Sequence, residues 1–439
     1  MTPEKVKKAL DDTVNAMDDC KWFFSANPKK DNTRNRKFPF KQMISSILAF
    51  QAGTLNHEIM NYFGCTPSVG SASAFVQQRA KILPQAFEYL FQSFTEKTDE
   101  NKLYHGYRLL AVDGSDLKYA ADSNDPDAFF SSEDGQKAYN MLHINAMYDL
   151  IQHTYVDATV QKRRNIDEAA ALTYMVDTSP IKRALLIADR GYESYNNFAH
   201  IQEKGWAFLI RVKDKTTGIT SGLVLPSSDS YDISFHLKIT RRCTKTVKNL
   251  LKDKNHYKWI PVDARLDYLP KSFQKDDPID FYDLHFRVVH FPISDTTYET
   301  IITNLDTAQF PINEIKRLYA MRWGIETSFR DLKYTLGLLH LHSKKVEFIY
   351  QEIFAKLTMY NFCELITQSV VIHQGKRKLN YKVNFSDSVH ICREFFLGKI
   401  TPPNIEALLI KFISPIRPGR NDIRKQTKKV AFSFLYRVA

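Results

Sequence analysis

Four residues near position 320 carry side chains suited to phosphate chemistry: Tyr319, Arg322, Glu326 and Lys333 stand at offsets of 0, 3, 7 and 14. At about 100° per residue these offsets fall within a roughly 60° sector of an α-helix. An apolar stripe of Leu318, Met321, Ile325, Phe329, Leu332 and Leu336 runs beside them. The polar sector therefore borders the buried face, whereas a solvated helix face lies across from the core. One carboxylate flanked by two cations and a phenol, half sunk against a core, is what a phosphate-handling metal site needs. The competing reading is a salt-bridge network that only steadies the helix.

Two apolar runs, Arg108–Val112 and Ala184–Ala188, read as buried strands, each followed by an aspartate, Asp113 and Asp189. An ionised carboxylate at the tip of an apolar strand is costly unless it is paired or binds a cation. The bland reading is a turn-former or helix cap. Asp116 rivals Asp113, Glu193 rivals Asp189, and Asp331 rivals Glu326, though Asp331 points away from the polar sector. Three carboxylates from distant segments would make a hard oxygen-ligand site for Mg²⁺ or Mn²⁺. Two such ions can activate a water or a 3′-hydroxyl and stabilise the leaving oxygen in a phosphodiester displacement. Arg322 and Lys333 would then hold DNA phosphates, and Tyr319 would add a hydrogen bond.

The elements that must position these groups follow from periodicity. Residues 1–100 read as helices, with one helix over Phe38–Phe63 stopped by Gly64, and a second near Ala74–Ile82 after a Ser-rich turn. That pair, the second member carrying Gln77, Gln78, Arg79 and Lys81, resembles a helix-turn-helix DNA reader. Further strands are expected near Met141–Tyr148, Thr154–Val160 and Trp206–Val212, with helices near Asp167–Val176 and Ser194–Lys204. The order β-β-β-α-β-α-β describes a mixed sheet with helices packed on it, an α/β (α+β) fold. The expected division is a helical DNA-binding region (1–100), the first part of the core (101–214), a β-rich insertion subdomain (215–300), the second part of the core (301–345) and a helical, basic C-terminal region (346–439).

Bulk properties agree. The chain has 439 residues, 44% of them apolar, so it can bury cores. Its net charge of +12 points to a polyanionic partner. Lysines and arginines crowd Lys238–Lys258 and again the tail after Pro415, densities that fit phosphate contacts or a solvated basic face. Cys20, Cys65, Cys243, Cys363 and Cys392 form no Cys-x-x-Cys pair, which argues against a zinc site or a disulfide framework. The N-terminus has no apolar signal core and no run is long enough for a membrane helix, so a cytoplasmic protein with no membrane partner is expected.

Together these pieces resemble the bacterial insertion-sequence transposases with a DDE triad, of the cut-and-paste group marked by a Tyr-x2-Arg-x3-Glu-x6-Lys signature. Tyr319, Arg322, Glu326 and Lys333 match it without a gap, Asp113-Gly-Ser matches the first aspartate motif and Asp189-Arg-Gly-Tyr192 the second. The resemblance spans roughly residues 40–345 and implies an RNase H-like sheet, with Asp113, Asp189 and Glu326 as catalytic metal ligands. It implies nicking at element ends, a hairpin intermediate, hairpin opening and strand transfer into target DNA, within a homodimer that pairs two ends. It also implies phosphate contacts from Tyr319, Arg322 and Lys333. Arg190 and Arg211 are added as candidate phosphate contacts, and Trp259, in the basic part of the insertion, as the ring that stacks on a flipped base. An RNase H-like nuclease without strand transfer and an inactive DNA-binding relative are the alternatives.

Overall fold

The computed structural model describes every residue except 35–36, 133–136, 214–217, 275–276, 374–378 and 417–439. The basic tail after Pro415 therefore lies almost wholly outside the described residues. Five helices come first: α1 (Pro3–Asp19), α2 (Phe40–Ala49), α3 (Leu55–Phe63), α4 (Ala72–Arg79) and α5 (Gln85–Lys97). The single helix expected over Phe38–Phe63 is two. Gly53 interrupts it, and Thr54 starts α3 by accepting the His57 N–H at 3.3 Å. Gly64, at φ +97°, ends it as expected.

The core then runs β1 (Arg108–Ala120), β2 (Phe129–Phe130), β3 (Tyr139–Asp149), β4 (Thr154–Lys162), α6 (Glu168–Thr178), β5 (Ala184–Ala188), α7 (Tyr195–Glu203) and β6 (Ala207–Arg211). In the sheet β4, β3, β1, β5 and β6 lie side by side. The β4–β3 and β3–β1 pairs are antiparallel, while β1–β5 and β5–β6 are parallel. This is the strand order and direction of an RNase H-like sheet. The first strand is longer than its apolar run suggested. Asp113 sits in the middle of β1, opposite Ala146, rather than at its end.

The segment after β6 carries β7 (Tyr231–Thr240), α8 (Lys245–Leu250), β8 (Tyr257–Trp259), β9 (Tyr282–Pro292) and β10 (Tyr298–Thr303). It is β-rich as expected, but its strands are not a sheet apart. β10 pairs with β6, placing Ile301 opposite Arg211, and the sheet continues through β9 and β7 to β8. Without β10 the edge of β6 would present a row of unpaired backbone groups.

The chain returns through α9 (Ile312–Met321), α10 (Trp323–Arg330) and a wide π turn (Asp331–Thr335), then the long α11 (Val346–Ser369). A short pair, β11 (Tyr381–Val383) with β12 (Ile413–Pro415), brackets α12 (Phe385–Phe396) and α13 (Asn404–Lys411). Most of α11 is buried on every side, as in a helix at the centre of a bundle. No helix among the described residues is long and apolar enough to cross a membrane.

Side chains alternate across β1 and feed two cores. Leu109, Ala111 and Leu117 enter the core shared with the N- and C-terminal helices, and Leu110 and Val112 enter the one under α6 and α7. Asp113 shares the parity of Ala111, so it faces the side on which α10 packs.

Candidate active site

The segment that carries Tyr319 to Lys333 is not one straight helix. Arg322 joins α9 to α10 through a tight turn, with Arg322 N–H to Tyr319 O at 3.0 Å and Ile325 N–H to Arg322 O at 3.1 Å. After Arg330 the turns widen, and Leu336 N–H reaches Asp331 O at 2.9 Å. The stripe beside the polar residues is nonetheless the buried one: Leu318, Ile325, Phe329, Leu332 and Leu336 are in the core and only Met321 is half-buried. Gly324 lets α10 approach the sheet, since a Cβ there would lie 3.0 Å from Leu150 Cδ2.

Tyr319 and Arg322 are each only 5% exposed, and Glu326 and Lys333 are half-buried. Polar contacts join these residues to their neighbours in separate groups. The Tyr319 hydroxyl donates to Asp189 Oδ1 at 3.4 Å, Arg211 Nε stands 2.9 Å from the same oxygen, and Arg322 Nη1 stands 2.9 Å from Glu326 Oε1. The Arg322 guanidinium lies 5.6 Å from the Tyr319 ring centre and 5.3 Å from that of Trp323. Its Nε is buried with no hydrogen-bond partner among the described residues, a donor left over once Glu326 has been served. Lys333 Nζ donates to the Asp116 carbonyl at 2.7 Å, which ties the π turn to β1.

Asp113 completes the group. Burial pushes its carboxyl up to about 6. The Gly114 N–H and the Arg322 charge pull it down, and Glu326 and Asp189 push it up again. Asp113 thus stands close enough to Glu326 and to Asp189 to feel the charge of each. Glu326 and Asp189 are each turned onto an arginine, and no group of three His, Cys, Asp or Glu side chains among the described residues is set at once around a metal position. The donor set still suits a hard divalent cation: carboxylate oxygens only, with Asp113 held against two like charges and no cationic side chain bonded to it. Burial likewise pushes the Tyr319 hydroxyl up to about 12, against the pull of Arg322, so it stays a neutral donor. Burial lowers Lys333, with Asp116 opposing.

The electrostatics of Asp113 give an expected result. Its folded-state carboxyl titrates near 6, above the ordinary 3.8, so the ionised form weakens the metal-free fold. That penalty is absent below about pH 4, grows through pH 6 and is complete above it, for roughly 1–3 kcal/mol. Asp113→Asn is expected to stabilise the metal-free protein at pH 8 and leave it unchanged at pH 4. Urea unfolding in EDTA at the two pH values checks this; equal stability of the two proteins at pH 8 contradicts it.

The rival carboxylates have other tasks. Asp116 points to the opposite face, where it meets His143 Nδ1 at 2.7 Å and Arg163 Nε at 3.4 Å. Glu193 accepts the backbone N–H groups of Lys213 and Ile219, and Asp331 lies 3.7 Å from Arg330. Arg190 is exposed at the turn, its backbone N–H capped by Asp189 at 2.7 Å.

Trp259 is not brought to this site. It lies on β8 at the far edge of the sheet, five strands beyond β5, or roughly 24 Å of sheet width. Its indole N–H is held by the Arg241 carbonyl at 3.2 Å. The basic run around it is partly structural as well. Arg241 donates to the carbonyls of Pro261, Val262 and Leu266, and Arg242 to those of Gln274 and Asp277. Buried arginines here pin a loop, while Lys245, Lys248, Lys252 and Lys254 remain at the surface.

The helix-turn-helix expectation changes in the same way. Arg79 is buried, with Nε on Gln351 Oε1 at 2.7 Å and Nη1 on Glu352 Oε1 at 3.0 Å, and Gln78 donates to Asn32 Oδ1 at 2.7 Å. Two of the four expected reading residues therefore face inward. An open basic hollow, lined by Lys29, Lys30, Arg34 and Lys81, lies beside α4 instead. Sequence reasoning missed Glu299, which joins Arg211 at 3.4 Å, and His143 with Glu168. A lone histidine in an apolar strand and an acid in a first helical turn carry no signal of their own.

A sheet of this order, with Asp113, Asp189 and Glu326 near one another beside it, is the RNase H-like setting of the three carboxylates. The chain belongs to the family of the transposase DDE domain, whose model matches residues 104–362, and is a DNA transposase. It is 24% identical over 348 residues to the transposase InsG of insertion sequence element IS4 from Escherichia coli (strain K12), covering 75% of this chain and 70% of that protein. The cryo-EM structure of the piggyBac transposase synaptic complex with hairpin DNA aligns with 97% of this chain and 88% of its own, at 10% identity and a TM-score of 0.44.

Proposed function

We propose that this protein is a cut-and-paste transposase of the Tyr-x2-Arg-x3-Glu-x6-Lys group that cleaves the ends of its own insertion sequence and joins them to target DNA. The observation that carries this reading is the meeting of Asp113, Asp189 and Glu326 beside an Arg322 whose buried Nε has no partner. Asp113, Asp189 and Glu326 would hold Mg²⁺ or Mn²⁺, as two ions. Bound there, the ions supply the charge that activates the attacking oxygen and steadies the leaving one. The chain's own residues do the rest. Arg322 Nε offers a phosphate oxygen a fixed, desolvated donor, which is stronger than the same bond in water. Tyr319 stays protonated and can donate to a phosphate oxygen when it leaves Asp189. Lys333 brings a positive charge to the strand that carries Asp113, and Arg211 and Arg190 extend the cationic rim. Water nicking, hairpin formation, hairpin opening and strand transfer are all phosphodiester displacements, so one site can serve each of them.

The N-terminal region is proposed to grip the element ends through Lys29, Lys30, Arg34 and Lys81, and two protomers to pair two ends. The work is placed in the bacterial cytosol and nucleoid. Replacing Lys29, Lys30 and Arg34 together by Ala is expected to weaken end binding and to flatten its salt dependence. The slope of log K against log salt should fall by about 0.9 for each phosphate that is no longer neutralised. A gel-shift salt series measures it, and an unchanged slope removes the hollow from the interface.

The reading itself is tested with a labelled duplex carrying the gene's own flanking sequence, incubated with the protein and Mg²⁺ or Mn²⁺. A metal-dependent nick followed by a hairpin product is the expected result. Nicking with neither hairpin nor strand transfer supports a nuclease of the same fold, and binding without cleavage supports an inactive relative.

A further inference from the structure

Both aspartate motifs carry a glycine, Gly114 next to Asp113 and Gly191 two residues after Asp189. Neither has a positive φ, so backbone freedom does not explain them. What lies over them does. A Cβ on Gly114 would collide with His143 Nε2 and stand 3.1 Å from Glu168 Oε1, and a Cβ on Gly191 would stand 3.7 Å from Glu168 Oε2. One Glu–His pair thus covers the backbone beside both aspartates, on the face of the sheet opposite the carboxylate cluster.

The pair is part of a chain. His143 Nε2 lies 3.1 Å from Glu168 Oε1, and His143 Nδ1 lies 2.7 Å from Asp116 Oδ1. The Asp116 carbonyl in turn accepts from Lys333 Nζ at 2.7 Å. Glu168 opens α6, His143 belongs to β3 and Asp116 to β1, so three elements meet through these side chains. Held between two acids, His143 is a cation that links them, although burial opposes its charge.

We infer that Glu168 and His143 are positioning residues that hold the Asp113, Asp189 and Lys333 segments in the spacing the divalent cations require. The inference rests on the transposase reading above. Glu168 lies over the turn after β5, His143 lies against the backbone of β1, and the Asp116 carbonyl meets the lysine of the π turn. Partners that orient metal-binding groups in this way are typically worth 10–100-fold in metal affinity or activity.

The test compares wild type, Glu168→Gln and Gly114→Ala as full chains. Glu168→Gln keeps the shape and removes the charge, at a site 36% exposed where the fold can tolerate it. Gly114→Ala displaces His143 from the other side. Mn²⁺ binding to the protein–end-duplex complex is read by electron paramagnetic resonance of free Mn²⁺, and nicking is measured across a Mn²⁺ series. End binding in EDTA and thermal unfolding are followed in parallel. The expected result is an Mn²⁺ Kd raised about tenfold or more in both variants. Nicking at low Mn²⁺ should fall, recover in part at high Mn²⁺, and leave end binding unchanged. A purely structural role would lower the melting temperature and the active fraction without moving the Mn²⁺ dependence, and that result overturns the inference. So does an unchanged Kd in both variants while wild type binds Mn²⁺ and nicks. Wild type that neither binds Mn²⁺ nor nicks overturns the transposase reading itself.

Discussion

Glu326→Gln is expected to abolish nicking of the element end while leaving the fold intact. Glu326 stands 2.9 Å from Arg322, which meets no other carboxylate among the described residues, and its charge is one of two that raise the Asp113 carboxyl. Glutamine keeps the volume and one oxygen for Arg322, so the side-chain packing is conserved. The negative charge that a divalent cation needs is gone. Losing several kcal/mol of charge stabilisation in the transition state corresponds to a rate loss on the order of 10³-fold. The stability change is expected to be small, about 1 kcal/mol or less in either direction. A weakened bond to Arg322 opposes the relief of repulsion toward Asp113. Single-turnover cleavage and urea unfolding on the same preparation decide it. If the segment were only a salt-bridge network, the variant would unfold more easily and a wild-type cleavage rate would persist in the folded fraction.

Glu352→Leu is expected to be strongly destabilising. Glu352 is 1% exposed and faces Arg79 at 3.0 Å and His342 Nδ1 at 3.1 Å; Arg79 also donates to the Phe348 carbonyl at 2.6 Å. This network pins α4 and the loop after the π turn to α11. Removing Glu352 leaves the buried Arg79 without its counter-charge, a loss of about 3–5 kcal/mol. The pH dependence has the same origin. Burial pushes the Glu352 carboxyl up, but Arg79 and His342 outweigh it and hold it at about 2. Because the folded value lies below the unfolded one, the stabilisation is complete above about pH 4.5 and fades as pH falls toward 2. Urea midpoints for wild type should decline through that window more steeply than those of the variant. Parallel declines would show that the ion pair contributes nothing.

The two cores lie on the two faces of the same unbroken apolar runs that made β1 and β5 legible. Ala184–Ala188 is apolar on both faces because helices cover both, and the bounds of β5 fall where the apolar residues end. Gly64 and Ser71 marked helix ends through local geometry: a positive φ at one, a side chain accepting the Ala74 N–H at 3.3 Å at the other. Arg79 and Arg241 were not legible. An arginine's sequence neighbours are the same whether it meets a phosphate or a buried glutamate 273 residues away. The place of Trp259 was not legible for a related reason, since its basic neighbours say nothing of which strand edge carries it.

What the sequence by itself determined is the repertoire: the strands and helices, the carboxylates at 113, 189 and 326, and the cations spaced to lie beside the last of them. These depend on hydrophobic period and local spacing, which a chain carries with it before it folds. The tertiary structure alone decided which face Asp113 looks toward, that Arg322 is buried with a spare donor, and that Arg79 serves the core. It also decided that β10 joins the insertion to the central sheet and that Glu168 and His143 lie against both motif glycines. Each of these is a meeting of segments far apart in sequence, where the outcome depends on competing partners and on the cost of burying charge.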